Sequence, residues 1–303
     1  MKLQHEQIRP DPSQGDVGTS HSTSARVHAL QCMEILNGNR YIEQSVRSAG
    51  LEAWVYSQPF QGNRQGGDLH YLSLCIGGVV TRVVLADVAG HGDHVANTSK
   101  VLLKLMRKFM NTKKQDRLVA EINRHFTEME PKDGFATAVV TTYLSHKSTL
   151  LLTNAGHPRP LMYRQSVGRW EYLDLPTTDT GSGENFPFGL NAATRYEHFV
   201  LKVEPGDWLV LYSDAYTESR NAADQLLGEA GLLEIVERIP RATTAANFGR
   251  QLNRLVSGTA KGWLAEDDTT LIAIRFTSDR RSPGVVEKLN GYWRMIRQSM
   301  ASG

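Results

Sequence analysis

An α+β fold is what this 303-residue sequence predicts. Two observations carry that expectation. Apolar, β-branched segments occur in runs divided by Gly-rich turns, and amphipathic helix patterns occur in pairs between those runs. Strict alternation of one helix with one strand, the mark of a doubly wound parallel sheet, is absent. Hydrophobic residues at 40% and charged residues at 22% match an ordinary globular chain, long enough to bury a sizeable core.

Taken in order, residues 1–30 open with a polar Ser/Thr/Gln/Asp-rich stretch and read as a disordered tail. Residues 31–277 read as the folded domain, and 278–303 as a C-terminal helical extension. A short helix is expected over 41–49. Strands are expected at 51–58 (LEAWVYSQ), 69–76 (LHYLSLCI) and 79–87 (VVTRVVLAD), as antiparallel neighbours. Two helices follow. Residues 96–111 place Val101, Leu102, Leu105, Met106 and Phe109 on one stripe; residues 115–130 do so with Leu118, Ile122 and Phe126. These stripes read as core and their basic residues as a solvated face.

Strands resume at 135–144, 148–156, 198–203 and 207–214, helices at 228–239 and 243–257, and a last strand at 268–276. After Pro283, residues Val286, Leu289, Tyr292 and Ile296 keep helical spacing.

Charge and cysteine content narrow the function classes. Lys plus Arg (34) nearly balances Asp plus Glu (32), so no net field argues for nucleic acid or an anionic membrane. The two cysteines, Cys32 and Cys75, form neither a CxxC pair nor a zinc spacing. No apolar run is long enough to span a bilayer, and the polar N-terminus lacks the apolar core of a secretory signal. A cytoplasmic location is the expectation. GLNAAT and GSGENF do not form phosphate-binding glycine loops after a strand.

Chemistry concentrates in carboxylates at strand ends. Asp68 precedes one apolar strand, Asp87 and Asp214 end two others, and Asp267 and Asp268 precede the last. A single such Asp is ordinarily a turn or cap residue, as Asp207 in EPGDW is expected to be. Four or five gathered at one rim would repel each other unless cations neutralised them, and hard divalent ions suit carboxylate and carbonyl ligands.

The ordered set GGD, ADVAGHG, FATAVV, NAGHPRPL, EPGDWLVLYSDAYTES and EDDTTLIAI resembles the metal-dependent protein phosphatases of the PPM, or type 2C, superfamily. Within it the match is to the bacterial SpoIIE-like branch, across roughly residues 50 to 277. The resemblance implies a four-layer αββα sandwich, two antiparallel β-sheets flanked by helices.

It further implies two Mg²⁺ or Mn²⁺ ions. Asp87 would bridge them, with the Val88 carbonyl as a further ligand, Asp214 and Asp267 would hold the second ion, and Asp68 would hold the attacking water. Asp268 has no assigned role. His91 reads either as a general acid or as a cap of the following helix, and His157 and Asn154 as turn residues. Ala215 stands where the family has Gly, and His70 follows Leu69 where an aromatic–Asp pair often stands. No counterpart of the eukaryotic members' phosphate-binding Arg is evident.

The implied substrate is a phosphorylated signalling protein, such as an anti-sigma-factor antagonist, with homodimerisation left open. The alternative is a catalytically silent phosphatase-like binding module in a partner-switching pathway.

Overall fold

Side chains alternate across each strand, and in this chain both faces of the central strands are apolar. Two stacked sheets flanked by helices bury all four faces, and that is the architecture found. The computed structural model describes residues 27–31, 34–75, 78–90, 93–129, 134–174, 185–220, 225–259 and 267–279.

One sheet contains β1 (His28–Ala29), β3 (Ile42–Ser48), β4 (Leu51–Gln58), β9 (Leu161–Arg164), β10 (Arg169–Tyr172), β12 (Trp208–Tyr212) and β13 (Thr269–Phe276), in the order β1-β3-β4-β13-β12-β9-β10. The other contains β2 (Ile35–Gly38), β5 (Asp68–Cys75), β6 (Val80–Val88), β7 (Ala136–Leu144), β8 (Thr149–Ala155) and β11 (Phe199–Lys202), in the order β11-β8-β7-β6-β5-β2. All these pairings are antiparallel except β1 with β3.

Three apolar layers hold the sandwich together. Val83 and Leu85 of β6 face Leu209 and Leu211 of β12 and Ile272 and Ile274 of β13 in the layer between the sheets. The intervening Val84, Ala86 and Val88 turn outward onto helices α1 (Asp93–Phe109) and α2 (Gln115–Met129), meeting Leu102, Leu105, Ile122 and Phe126. On the far side, Trp208, Val210 and Tyr212 pack against α4 (Gly228–Glu237) and α5 (Ala245–Thr259) through Leu232, Phe248 and Leu252. A one-turn helix, α3 (Ala215–Glu218), follows β12. The order is helix pair, sheet, sheet, helix pair, so the αββα sandwich holds.

Some expectations need correcting. Residues 42–48 form strand β3, not a helix. Ile42 and Val46 fit both a helical and a period-2 reading, but Gly50 at φ 78° closes a tight turn that returns the chain onto β4. Residues 51–58 do form a strand, but in the opposite sheet from β5 and β6; a Pro59-led connection carries the chain across. The folded part starts inside the expected tail, because β1 pairs with β3 and Leu30 is buried. The rest of the tail (1–26) and nearly all of the C-terminal extension (280–303) lie outside the described residues. Strands β2, β9 and β10 had no counterpart in the sequence expectation.

Among the described residues no helix is long and apolar enough to cross a membrane.

Candidate metal centre and catalytic cleft

Strand register brings the acids to one end of the sandwich. Asp68, the first residue of β5, lies directly opposite Asp87, near the end of β6. Both belong to the face that turns Leu72 and Leu85 toward the second sheet. In that second sheet, β12 runs toward the same end and β13 starts from it, with Tyr212 paired to Leu271. Asp214 therefore follows β12 beside Asp267 and Asp268, which precede β13. Ser213 clasps this junction: its N–H donates to the Thr270 carbonyl (2.9 Å), and its Oγ accepts from the Thr270 N–H (2.9 Å).

Each acid feels at least one other, and Asp87 feels most of them. Burial and the negative charge of Asp87 hold Asp68 well above the usual carboxylate range. Asp68 Oδ2 is buried with no hydrogen-bond partner among the described residues. Asp87 is pushed up to about 7, by burial first and then by Asp214, Asp267, Asp268 and Glu218. Asp214 rises to about 6 through burial, Glu218 and Asp267, and Asp267, although exposed as a residue, is raised by partial desolvation of its carboxylate and by Asp268. Such a cluster is costly unless something positive joins it.

The donor set fits hard dications on chemical grounds: oxygen atoms only, one of them orphaned and buried, in mutual repulsion. Among the described residues, however, no trio of His, Cys, Asp or Glu side chains already stands at metal-ligating distances.

Glycines make the close approach of backbone and carboxylates feasible. A Cβ on Gly67 would fall 2.9 Å from the Val88 carbonyl oxygen and 3.2 Å from Asp87 Oδ1. A Cβ on Gly66 would fall 2.5 Å from Asp268 Oδ1. Asp268, unassigned in the sequence, has a structural task. Its carboxylate accepts the Phe60 N–H (2.7 Å) and the Gly67 N–H, tying the GGD turn to the start of β13. Asp267 is exposed and its Oδ1 accepts the Asp268 N–H (2.7 Å).

Asp87 and Asp214 line a cleft of about 440 Å³ together with Thr137, His157, Arg159 and Glu218. Glu218 went unnoticed in the sequence, although its signal was there: Asp214 and Glu218 are four residues apart across a helical turn and share a face. Among the described residues of the lining, Arg159 is the one cation. Its guanidinium pairs with Glu229 and Asp174 and sits 5.0 Å over the Tyr172 ring.

The turn roles expected for Asn154 and His157 match the geometry. The Asn154 amide donates to the His157 carbonyl (2.8 Å) while its Oδ1 accepts the His157 N–H (2.7 Å). His157 Nδ1 meets Thr137 Oγ1 at 2.9 Å, and burial drops its pKa to about 3, so the ring is neutral. Asp207 likewise acts in a turn, accepting the Gln165 and Glu204 N–H groups.

His70 is buried between the sheets, with its pKa lowered to about 4 by burial, and is no part of the rim. Ala215 opens α3 in an ordinary negative-φ conformation, so its methyl causes no backbone strain there. His91 lies outside the described residues.

Comparison with known proteins bears on the fold and the family. Residues 78–277 match the family model "Stage II sporulation protein E (SpoIIE)". The chain is 22% identical over 276 residues to Protein IcfG from Synechocystis sp., covering 79% of this chain and 41% of that protein. It thus spans about two fifths of that curated relative.

Among solved structures, the RsbU and RsbW domains of a Mycobacterium tuberculosis protein superpose with a TM-score of 0.64 at 19% identity, covering 81% of this chain and 64% of that one. The PP2C phosphatase domain of SpoIIE from Bacillus subtilis gives 0.61 at 14% identity, covering 80% and 72%. RsbX in complex with magnesium gives 0.56 at 14% identity, covering 78% and 100%. These likenesses carry the fold, and the family match over two thirds of the chain carries the membership: this chain belongs to the SpoIIE family of PP2C-like phosphatase domains.

Proposed function

We propose that this chain is a Mg²⁺- or Mn²⁺-dependent protein serine/threonine phosphatase. The observation that carries the reading is Asp87, which lies opposite Asp68 in its own sheet, feels the charges of Asp214 and Asp267 from the other sheet, and lines a cleft together with Asp214. A structure maintains such a cluster against repulsion where cations complete it.

Asp87, the Val88 carbonyl, Asp214 and Asp267 would hold two ions, and Asp68 would orient the attacking water. Bound there, the ions would supply a nucleophile at neutral pH and neutralise phosphoryl charge during in-line displacement. The protein's own part is positioning. Gly67 lets the Val88 carbonyl and Asp87 crowd together, and Asp268 fixes the turn that carries Asp68. Neutral His157 and Thr137 shape the cleft wall without adding charge. His91 is the proposed proton donor to the departing seryl or threonyl oxygen.

The substrate we propose is a phosphorylated signalling protein in the cytoplasm, such as an anti-sigma-factor antagonist. The likeness to the RsbU and RsbW domains of one Mycobacterium tuberculosis protein supports that choice.

Hydrolysis of p-nitrophenyl phosphate and of a phosphoserine peptide, with and without Mn²⁺, tests the proposal. Metal-stimulated turnover lost in Asp87→Ala supports it. A folded wild-type protein that binds the phosphopeptide without metal-stimulated turnover overturns it in favour of a catalytically silent binding module.

A further inference from the structure

The far end of the β12–β13 pair carries a second concave site of opposite character. It has a volume of about 470 Å³, and its walls include Tyr163, Gln165, Gly206, Pro240, Arg241 and Arg275. No acidic residue is among the described residues that line it. Trp208, which begins β12, pairs with Arg275 of β13. Asp214 lies six residues further along, which at ~3.3 Å per residue puts the pocket roughly 20 Å from the carboxylate cleft.

Both arginines are oriented by aromatic rings. The Arg241 guanidinium carbon sits 4.8 Å over the Tyr163 ring and that of Arg275 5.8 Å over Trp208. Neither has a carboxylate within ion-pair distance among the described residues. Arg275 Nε is buried with no hydrogen-bond partner among the described residues. The acids nearest by register or sequence are already committed. Glu52, opposite Arg275 on β4, accepts the Ala245 N–H at 2.7 Å, and buried Asp207 serves the Gln165 and Glu204 amides.

The rings lie beside the guanidinium groups, and no carboxylate among the described residues competes for them. Two guanidinium groups in one concave wall, neither neutralised by a carboxylate among the described residues, match a doubly charged tetrahedral oxyanion.

We propose that this pocket binds a phosphoryl dianion, independently of the carboxylate cleft. The group's source is either free inorganic phosphate or a phosphorylated side chain of a protein, which the available volume also admits.

Isothermal titration calorimetry of the full chain carrying Asp87→Asn separates this site from the cleft. Inorganic phosphate is expected to bind, with Arg241→Gln and Arg275→Gln each weakening it at least tenfold and Arg241→Lys retaining part of the affinity. In a second arm, a phosphoserine peptide that binds tighter than phosphate, and is displaced by it, assigns the site to a protein-borne group. A peptide no tighter than phosphate assigns it to the free ion.

Absence of heat with either probe at millimolar concentration overturns the proposal, as does binding undiminished in the double Gln variant. Should Arg275→Gln fail to fold, Arg241→Gln, in the connection between α4 and α5, decides alone. Loss of phosphatase activity in Asp87→Ala leaves this outcome untouched, so the two proposals fail separately.

Discussion

Asp68 and Asp87 face each other across adjacent antiparallel strands, a like-charge pair directly opposite in register. Such a pair destabilises an ordinary sheet. Here it has two more acids, Asp214 and Asp267, brought against it from the other sheet. The metal-free protein therefore holds protons that the unfolded chain would release.

The sign of the resulting pH dependence is fixed. Asp87 rises to about 7 on folding from the usual carboxylate value near 4, so its ionisation costs stability as pH climbs through that window, fully so above 7. In EDTA, Asp87→Asn is expected to be more stable than wild type at pH 8, by of order 1–3 kcal/mol, with the gap closing toward pH 4. Adding Mg²⁺ is expected to raise the wild-type melting temperature more at pH 8 than at pH 5, and to do little for the variant. Thermal melts on this grid check both statements. Parallel pH profiles for the two proteins count against them.

Gly67→Ala probes the close approach at the GGD turn. Its methyl would meet the Val88 carbonyl, a backbone atom that cannot swing aside, and Asp87. Metal-stimulated turnover is expected to fall more than tenfold, with an overpacking cost of about 1–3 kcal/mol. Retention of full activity would show that neither group needs its present position.

Neighbouring acids Asp267 and Asp268 are expected to separate cleanly. Asp268→Ala strands the Phe60 and Gly67 N–H groups and costs about 1–3 kcal/mol in chemical denaturation. Asp267→Asn, at an exposed position, leaves stability within ~0.5 kcal/mol. Its Mn²⁺ activation curve nonetheless moves to roughly tenfold higher concentration or beyond. Equal effects of the two variants on both readouts would remove the distinction.

Glu218→Gln removes a negative neighbour that lifts Asp214 and Asp87. Both acids then ionise more readily, so the acid limb of the metal-dependent rate profile moves to lower pH. Because Glu218 is exposed, solvent screening keeps that displacement to a fraction of a pH unit. A shift toward higher pH contradicts the assignment.

Much of the sandwich was readable because its strands obey local rules. Segments 51–58, 79–87 and 268–276 carry unbroken apolar runs, and their expected boundaries fall within a residue or two of β4, β6 and β13. The paired helices announced themselves by stripes such as Leu102, Leu105 and Met106. Residues 42–48 misled because Ile42 and Val46 satisfy two periodicities, and the choice falls to a partner strand.

The division of strands between two sheets was not readable from 51–58, since nothing within a strand names its neighbour. At the site, the acids at strand ends stood out as candidates through a recurring pattern. Arg159 escaped because its relation to the cleft depends on Glu229, seventy residues away in sequence. The pocket around Arg241 and Arg275 escaped for the same kind of reason.

The aliphatic filling between the sheets does more than hold them together. Leu85, Leu211 and Ile272 set the gap across which Asp68 and Asp87 regard Asp214 and Asp267. That hydrocarbon is the ruler of the ion cage. A methylene removed there is felt first as lost stability, and again as a mis-spaced set of oxygens at the rim, far from any atom that was changed.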